Sequence, residues 1–285
     1  MVMVKYILFL IQILLLILKV PYYIFKDVYR LINPIKEKNV AGEIVLITGA
    51  GHGIGKELAI GYASLGATVV CWDINEDTNN ETMNYIKRTG KNSVYAYQCN
   101  VADREDVFRI AKKVKEEVGD VTILVNNAGI VFPKLFLKQS LDEIAQVINV
   151  NVMAHYWTLK AFLPSMIEKN YGHIVSVSSV SAFLPLFFGT TYCPSKSAIK
   201  AMMESISDEL RIISRGKSAI KFTTVYPYFV NTGLVTNFKF RLPRLLPELS
   251  PQEVASSIIN AQRQNYENKS IPSYWLSISK IGRYV

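Results

Sequence analysis

Residues 48–55 read Thr48-Gly49-Ala50-Gly51-His52-Gly53-Ile54-Gly55, and this Gly-rich turn lies between an apolar run, residues 44–47, and a helical run that starts at residues 58–60. Glycines at such a junction let the backbone turn tightly and approach a pyrophosphate, whose charge is favoured at a helix N-terminus. Spaced glycines also occur in ordinary structural turns, but a turn that joins a strand to a helix is the setting of a dinucleotide site. We therefore expect a dinucleotide to contact Gly49, Gly51, His52, Gly53, Ile54 and Gly55.

From residue 43 onward, short β-branched runs alternate with amphipathic helical runs, a pattern typical of a parallel sheet covered by helices on both faces. Two helical runs, around 141–163 and 191–213, are long, and a late helix follows the capping box Ser250-Pro251-Gln252-Glu253. We predict an α/β fold in which residues 41–285 form one Rossmann-type, doubly wound parallel sheet of about seven strands. The strands that the pattern locates are 43–48, 67–72, 93–98, 122–126, 172–178 and 220–226.

The second predicted strand ends at Asp73, about the distance past a Gly-rich turn at which an acidic residue bonds the adenosine ribose. A carboxylate at this place repels a 2′-phosphate. No Lys or Arg occurs within the next ten residues to offset it, and position 52 is His rather than a permanent cation. The alternative interpretation is that Asp73 is an ordinary turn residue at a strand end. We predict NAD, rather than NADP, as the cofactor.

A second informative stretch, Tyr192-Cys193-Pro194-Ser195-Lys196, places a Tyr and a Lys four residues apart. On a helix they share one face, so the ammonium can lie close to the phenol. A nearby positive charge favours the ionised phenol and would move the pKa of Tyr192 down from its usual value of about 10. We therefore expect Tyr192 to transfer a proton near neutral pH.

Taken in order, these motifs resemble the short-chain dehydrogenase/reductase family, and the similarity runs from about residue 43 to residue 260. The Gly-rich turn matches the family's cofactor loop, and Asn126-Asn127-Ala128-Gly129 matches the motif that steadies its central sheet. Asn151 falls at the place of the catalytic asparagine, and Ser179 precedes Tyr192 by thirteen residues, as the catalytic serine does. The resemblance implies that Ser179, Tyr192, Lys196 and Asn151 are catalytic.

In that family the serine holds the substrate oxygen, the lysine also holds the nicotinamide ribose, and the asparagine anchors a water that links the lysine to solvent. Ser178 is the neighbour with which Ser179 can be confused, but successive strand residues face opposite sides. Asn149 would face away from Asn151 on a helix. The resemblance also implies cofactor contacts at Asn100, Val101, Asn127, Ala128, Gly129, Tyr192, Lys196, Pro227, Val230 and Thr232. One departure is Tyr228, where the family has Gly after Pro.

Composition argues against a nucleic-acid partner and a metal site. The 285 residues carry a net charge of +9, but part of this excess lies in residues 1–40 and no compact basic patch remains in the rest. The three cysteines show no metal-ligand spacing. We expect no metal and no bound DNA or RNA.

Residues 6–25 are almost wholly apolar, apart from Gln12 and Lys19. A signal peptide is the simple interpretation, yet no small-residue cleavage pattern follows, which favours an uncleaved anchor. Pro21 leaves open whether the segment spans the bilayer or enters one leaflet as a helix or hairpin. Lysines and arginines are concentrated after this segment, which predicts a catalytic domain that faces the cytosol. We interpret residues 1–40 as a membrane anchor with a basic tether.

The hydrophobic N-terminus and the segments around the motifs resemble two groups within the family: the lipid-droplet 17β-hydroxysteroid dehydrogenases of types 11 and 13, and the epidermal retinol dehydrogenases. This resemblance implies a membrane- or droplet-associated enzyme, at the endoplasmic reticulum or lipid droplets, that transfers hydride between NAD(H) and a lipophilic alcohol or ketone. Apolar residues expected at the substrate entrance agree with such a substrate, although they also suit a core or an oligomer interface. They are Phe132, Leu135, Phe136, Phe183, Leu184, Leu186, Phe187, Phe188 and the apolar side chains of 234–246.

Two other functions stay open at this point. One is a lipid ketone reductase of the 3-ketoacyl or 3-ketosphinganine type. The other is a droplet or membrane protein without enzymatic activity that binds NAD structurally; the full Ser-Tyr-Lys-Asn set argues against it. Relatives in this family pair through the two long helices, so we expect a homodimer.

Overall fold

The computed structural model describes residues 36–91, 93–234 and 248–276. Within them, seven parallel strands form one sheet with the order β3-β2-β1-β4-β5-β6-β7. The prediction of a Rossmann-type parallel sheet is confirmed, and six strands lie within one residue of their predicted positions. The pattern does not locate the seventh, because its first three residues are polar. The strands are β1 (Ile44–Thr48), β2 (Thr68–Asp73), β3 (Val94–Gln98), β4 (Ile123–Asn126), β5 (His173–Val177), β6 (Lys221–Pro227) and β7 (Asn268–Ile271).

Helices cover both faces of this sheet. On one face, apolar side chains of two helices, such as Leu58 and Ile258, pack on β1 and β2. On the other face, Ile110, Leu159 and Ile199 pack on β1, β2 and β4. The capping box at Ser250 forms as predicted. The helices are α1 (Gly53–Ser64), α2 (Glu76–Arg88), α3 (Arg104–Glu117), α4 (Leu141–Ile148), α5 (Ala154–Glu168), α6 (Tyr192–Ile213) and α7 (Pro251–Arg263).

The strand order reverses at β1, which pairs with β2 on one side and β4 on the other. In open parallel sheets, ligands bind at such a switch point, beyond the carboxyl ends of the strands. The fold therefore places a crevice where the Gly-rich turn leaves β1 and where the Asn-Asn-Ala-Gly motif leaves β4.

The long run around 141–163 is not one regular α-helix. A π-helical segment, Asn149–Met153, joins α4 to α5. Such insertions widen the helix by one residue and are frequent at functional sites. Apolar periodicity does not reveal the insertion, because the residues on both sides keep a helical pattern.

A buried polar network ties α1 and α7 to the sheet. Tyr62 donates to Gln262 Oε1 (3.3 Å), and Gln262 Nε2 donates to His173 Nδ1 (3.2 Å). Thr223 Oγ1 gives its single proton to the Tyr266 carbonyl (2.6 Å), so it accepts from His173 Nε2 (2.8 Å). The network therefore fixes the histidine as the Nε2–H tautomer.

We expect Gln262→Leu to lower the free energy of unfolding by about 1–3 kcal/mol, because it leaves buried hydrogen-bonding groups on Tyr62 and His173 without this partner. Urea denaturation measures the change. The control is Gln252→Leu on the same helix, where the exposed Gln252 bonds a half-buried Glu57 through Nε2 (2.9 Å) and we expect a change within about 0.5 kcal/mol. Equal effects of the two substitutions would contradict the role of the network.

The part of the chain that the structure describes holds no helix long and apolar enough to cross a membrane. The predicted anchor and tether comprise residues 1–40, and of these, residues 1–35 lie outside the described residues. The anchor and the domain boundary after residue 40 therefore stay predictions. Residues 235–246 of the expected substrate entrance also lie outside the described residues.

Candidate active site

Hydrogen bonds hold the Gly-rich turn against the end of β4. Asn127 Nδ2 donates to the carbonyl oxygens of Thr48 (3.0 Å) and Gly49 (3.3 Å). In return, Thr48 Oγ1 accepts from the backbone N–H groups of Asn127 (3.0 Å) and Ala128 (3.1 Å). Gly49 has a φ of +67°, which favours glycine, and a Cβ on it would lie 3.0 Å from the Ala128 Cα. The two motifs therefore form one rigid unit.

Gly51 and Gly55 shape this turn from the protein side and are not among the residues that line the adjacent cavity. The Gly51 N–H donates to Asp73 Oδ2 (2.9 Å). A Cβ on Gly55 would lie 1.9 Å from the Gly49 carbonyl oxygen, so only glycine fits there. These two glycines set the path of the turn, and the ligand contacts expected at them stay predictions.

Asp73 has a structural task that its sequence position does not reveal. Besides the bond to Gly51, its Oδ1 accepts from the Asn75 N–H (2.9 Å). The carboxylate therefore links the end of β2 to the Gly-rich turn while it also lines the cavity. Its distance of 22 residues from Gly51 indicates a ribose contact. The bond from Asp73 to the turn is seen only in the three-dimensional structure.

A cavity of about 750 Å³ lies at the switch point, within the usual range for small-molecule and cofactor sites. Its position at the N-terminus of α1 suits a phosphate group, because α1 has no side-chain cap and no acidic residue in its first turn. By contrast, α2, α3 and α4 each have a side-chain cap and acidic residues in the first turn. Uncapped N–H groups at a helix N-terminus bind anions. The residues present therefore fit a dinucleotide. The predicted cofactor residues that line the cavity are Gly49, His52, Gly53, Ile54, Asp73, Asn100, Val101, Asn127, Ala128, Gly129 and Thr232.

Two of these side chains are already engaged within the protein. His52 Nε2 bonds the Thr232 carbonyl oxygen (2.8 Å) and so links the Gly-rich turn to the segment after β6. Asn100 Oδ1 accepts from the Ala102 N–H (3.1 Å) and forms a local turn. The expected adenine contact of Asn100 has to come from its remaining polar groups.

A second, smaller cavity of about 220 Å³ joins the first. Its polar end carries Ser179, Tyr192 and Lys196, and its walls are bulky and apolar. Pro227 and Val230, predicted to contact the nicotinamide, line this smaller cavity. The residues that line both cavities are Ile54, Asn127, Gly129, Thr232 and Leu234.

Ser179 follows β5, and its hydroxyl accepts from the Ser181 N–H (3.1 Å) and donates to the Pro227 carbonyl oxygen (3.5 Å). The same side chain stands beside the Tyr192 phenol and affects its pKa. Ser178 instead donates to the Lys196 carbonyl oxygen (2.8 Å) and so points toward α6. The alternation along a strand predicts this difference. Among the two serines, Ser179 is the one beside the phenol.

Burial raises the pKa of Tyr192 to about 12, although the hydrogen bond from Ser179 lowers it. Lys196 Nζ donates to the Val177 carbonyl oxygen (3.0 Å) and lies 5.6 Å from the centre of the Tyr192 ring. The expectation that Lys196 brings the pKa of Tyr192 down toward neutrality is wrong for this arrangement. Removal of the phenolate from water outweighs any effect of the ammonium at this distance.

Burial also lowers the pKa of Lys196, to about 8. Because the unfolded chain keeps the ordinary pKa of 10.5, unfolded protein binds more protons between pH 8 and 10.5, and stability must rise with pH there. We expect the unfolding free energy of the wild type to gain about 1–2 kcal/mol, relative to Lys196→Met, between pH 8 and 10. Denaturant titrations at the two pH values measure this double difference. A difference that stays constant would contradict a depressed pKa of Lys196.

Asn151 lies in the π-helical segment and is fully buried. Its Oδ1 accepts from the Ile130 N–H (2.9 Å), and its Nδ2 donates to the Ile130 carbonyl (3.0 Å) and to Ser195 Oγ (3.0 Å). It therefore holds the segment after β4 against α6, next to Lys196. Asn149 is exposed, as the helical spacing predicts.

His155 lies one helical turn after Asn151, and the sequence gives no sign that it belongs to the surroundings of the site. It is buried, and its burial, followed by the charge of Lys196, lowers its pKa to about 3. A neutral imidazole is therefore present close to the ammonium at neutral pH.

Comparisons with known proteins agree with this geometry. A family model described as short chain dehydrogenase matches residues 43–241. Epidermal retinol dehydrogenase 2 of Mus musculus is 45% identical over 231 residues, which is 80% of this chain and 74% of the relative. 17-beta-hydroxysteroid dehydrogenase 13 of Homo sapiens is 40% identical over 263 residues, 92% of this chain and 86% of the relative.

Among solved structures, a short chain dehydrogenase/reductase from Burkholderia phymatum in complex with NAD superposes with a TM-score of 0.76. The two sequences are 26% identical, and the match covers 85% of this chain and 93% of the other.

Proposed function

Because the chain belongs to the short-chain dehydrogenase family and is an oxidoreductase that acts on CH–OH groups, we propose that it oxidises a lipophilic alcohol with NAD at a membrane or lipid-droplet surface. One observation carries the proposal. The Ser179–Tyr192–Lys196 group stands at the polar end of an apolar cavity, and this cavity joins the larger one at the switch point.

In this proposal the substrate hydroxyl lies between Ser179 Oγ and the Tyr192 phenol. Ser179 fixes the oxygen by a hydrogen bond. The ionised form of Tyr192, which has released its own proton to solvent, takes the substrate proton at Oη as the carbonyl forms. This form is a small fraction at neutral pH, because burial raises the pKa of Tyr192 to about 12. NAD, when bound, supplies the hydride acceptor. Lys196 holds positive charge beside the phenol. Asn151 holds the segment after β4 and α6 together through its bonds to Ile130 and Ser195. The apolar walls exclude water from the reacting carbon.

The substrate class follows from the walls of the smaller cavity and from relatives named for retinol and 17β-hydroxysteroids. The first experiment measures NADH formation by full-length protein in membranes with retinol, a 17β-hydroxysteroid and a long-chain alcohol. Turnover of any of them supports the proposal. Failure of all three, despite measurable NADH binding, would favour the non-enzymatic, NAD-binding function.

A second candidate function, lipid ketone reduction, has an observation in its favour. A phenol with a pKa near 12 is protonated at neutral pH and can donate its proton to a carbonyl oxygen. Comparison of rates with a 3-ketoacyl lipid and NADH against rates with an alcohol and NAD distinguishes the two directions.

The preference for NAD is supported by Asp73, a carboxylate at the cavity with no Lys or Arg in the next ten residues. We expect Asp73→Asn, which keeps an acceptor for the Gly51 N–H, to reduce the ratio of the NADPH and NADH dissociation constants about tenfold, or about 1.4 kcal/mol. Titration of both nucleotides against intrinsic fluorescence measures this ratio. Glu76→Gln at the start of α2 removes the same charge nearby and serves as the control. Native preference for NADPH would overturn the assignment.

For the cellular location, we propose that residues 1–40 anchor the protein in the endoplasmic reticulum membrane or on lipid droplets, with the catalytic domain in the cytosol. The apolar segment and the lysines and arginines that follow it support this placement. Protease added to intact microsomes should digest the catalytic domain without detergent. Protection, or sugar on Asn80 or Asn268 of the two sequons, would place the domain in the lumen instead.

We also propose that two copies pair through α5 and α6. Large apolar side chains are exposed on these two helices, and pairing of two copies would cover them. They include Tyr156, Ile167, Ile212 and Ile213. Light scattering of the detergent-solubilised protein should give the mass of a dimer, and a monomer would contradict the pairing.

A further inference from the structure

Tyr228, at the position where the family has glycine, forms part of the wall of the smaller cavity. Its ring stacks on that of Trp275, with centroids 5.2 Å apart and planes inclined by 17°. Tyr228 follows β6 and Trp275 follows β7, and these two strands pair directly. Two neighbouring strand ends therefore present one stacked aromatic pair beside the cavity.

The backbone around this pair is fixed by hydrogen bonds. The Tyr228 N–H donates to the Ile271 carbonyl oxygen (2.8 Å). The turn that carries Trp275 is held by Ser270, whose Oγ accepts from the Leu276 N–H (2.9 Å) and donates to the Ser273 carbonyl oxygen (2.8 Å). Tyr228 cannot leave the cavity wall without breaking the stack, so its ring acts as a rigid boundary.

The space that this boundary leaves is small. The cavity measures about 220 Å³, below the range of roughly 300–1,000 Å³ for pockets that enclose most of a drug-sized ligand. At its opening, Leu186, Phe187 and Leu234 also line the cavity but expose 45%, 76% and 45% of their surface. A lipid can therefore insert its hydroxyl end and rest its remaining length on these apolar side chains.

We propose that Tyr228, held in place by Trp275, is the residue that selects the substrate: it admits a narrow, extended-chain lipid alcohol end-on and restricts a rigid fused-ring alcohol. This inference rests on the proposed oxidation of a lipophilic alcohol. An extended chain needs only a narrow space at its reacting end. A fused-ring system is wide directly beside its hydroxyl, so a rigid aromatic wall in a cavity of this size restricts it more than it restricts an extended chain.

The test compares kcat/KM for a long-chain primary alcohol and a 17β-hydroxysteroid in the wild type, Tyr228→Gly and Trp275→Leu. We expect the steroid-to-chain ratio to rise about tenfold or more in Tyr228→Gly and to rise by a smaller factor in Trp275→Leu, which frees the Tyr228 ring. Tyr274→Leu is the control, because Tyr274 contacts Trp275 at 5.6 Å but does not line the cavity. NADH binding confirms that each variant is folded.

The outcomes separate this inference from the proposed function. A wild type that binds NADH and oxidises neither alcohol would refute the proposed function. Two results would overturn the selective role of Tyr228 and leave the proposed function intact. One is a wild type that oxidises the steroid at least as well as the chain alcohol. The other is a steroid-to-chain ratio of kcat/KM that is equal in Tyr228→Gly and Tyr274→Leu. If Tyr228→Gly does not bind NADH, Trp275→Leu decides, and an unchanged ratio there overturns the proposal.

Discussion

Replacement of Tyr192 by Phe is expected to lower kcat for alcohol oxidation about a thousandfold, the loss typical for a group that transfers a proton in the reaction. The Tyr192 hydroxyl stands beside Ser179 and Lys196 in the smaller cavity. Among the described residues, the other phenol that lines this cavity belongs to Tyr228, whose ring stacks on Trp275. Phe keeps the half-buried ring and its packing. Affinity for NADH, measured by fluorescence titration, should therefore stay close to that of the wild type.

The matched control is Tyr97→Phe, which removes a hydroxyl that bonds Glu117 at the sheet edge (2.8 Å). We expect its kcat to equal that of the wild type. A Tyr192→Phe enzyme that keeps more than about a tenth of wild-type kcat would show that Tyr192 does not carry the proton, since proton transfer by a positioned side chain contributes at least about a hundredfold.

The second large effect is expected for Gly55→Ala, which we predict to weaken NADH binding at least about a hundredfold and to cost about 3 kcal/mol of stability. The new Cβ would lie 1.9 Å from the Gly49 carbonyl oxygen and 2.7 Å from Asn127 Nδ2. Backbone is the obstacle, so the Gly-rich turn must shift away from the segment after β4. Isothermal titration with NADH and urea denaturation measure the two losses.

Gly61→Ala on the same helix separates the effect of the turn from that of helix substitution. A Cβ at Gly61 meets the Ile259 side-chain end at 2.5 Å, and that flexible end can move. We expect NADH affinity to stay unchanged there. If Gly55→Ala binds NADH as tightly as Gly61→Ala does, the close approach within the turn does not shape the cofactor site.

The sequence predicts the fold well because short-range patterns determine it. Alternating strands and helices locate six strands within one residue, and the Gly-rich turn at the end of β1 indicates the switch point. The same holds for the groups at the polar end of the smaller cavity. Tyr192 and Lys196 share one helix face, so their spacing predicts that they lie together, whereas the resemblance to the family indicates that Ser179 joins them.

What the sequence does not predict depends on the environment of each group. The spacing of Tyr192 and Lys196 says nothing about their removal from water, and burial reverses the expected direction of the Tyr192 pKa shift. The π-helical segment at Asn151 needs one additional residue within an otherwise regular pattern. The bond from Gly51 to Asp73 and the stack of Tyr228 on Trp275 join segments that are distant in sequence.

The bonds between the Gly-rich turn and the segment after β4 also constrain how the protein is made. Thr48 and Asn127 are 79 residues apart, and Tyr62 reaches Gln262 across 200 residues. During synthesis, the turn therefore leaves the ribosome long before the segment that supports it, and the first helix long before its partner. Because closing such long loops is entropically costly and slow, the nascent chain exposes the apolar face of α1 until α7 has been made. Nucleotide binding is thus a property that the chain acquires late, and transiently exposed apolar surface of this kind favours aggregation in the meantime.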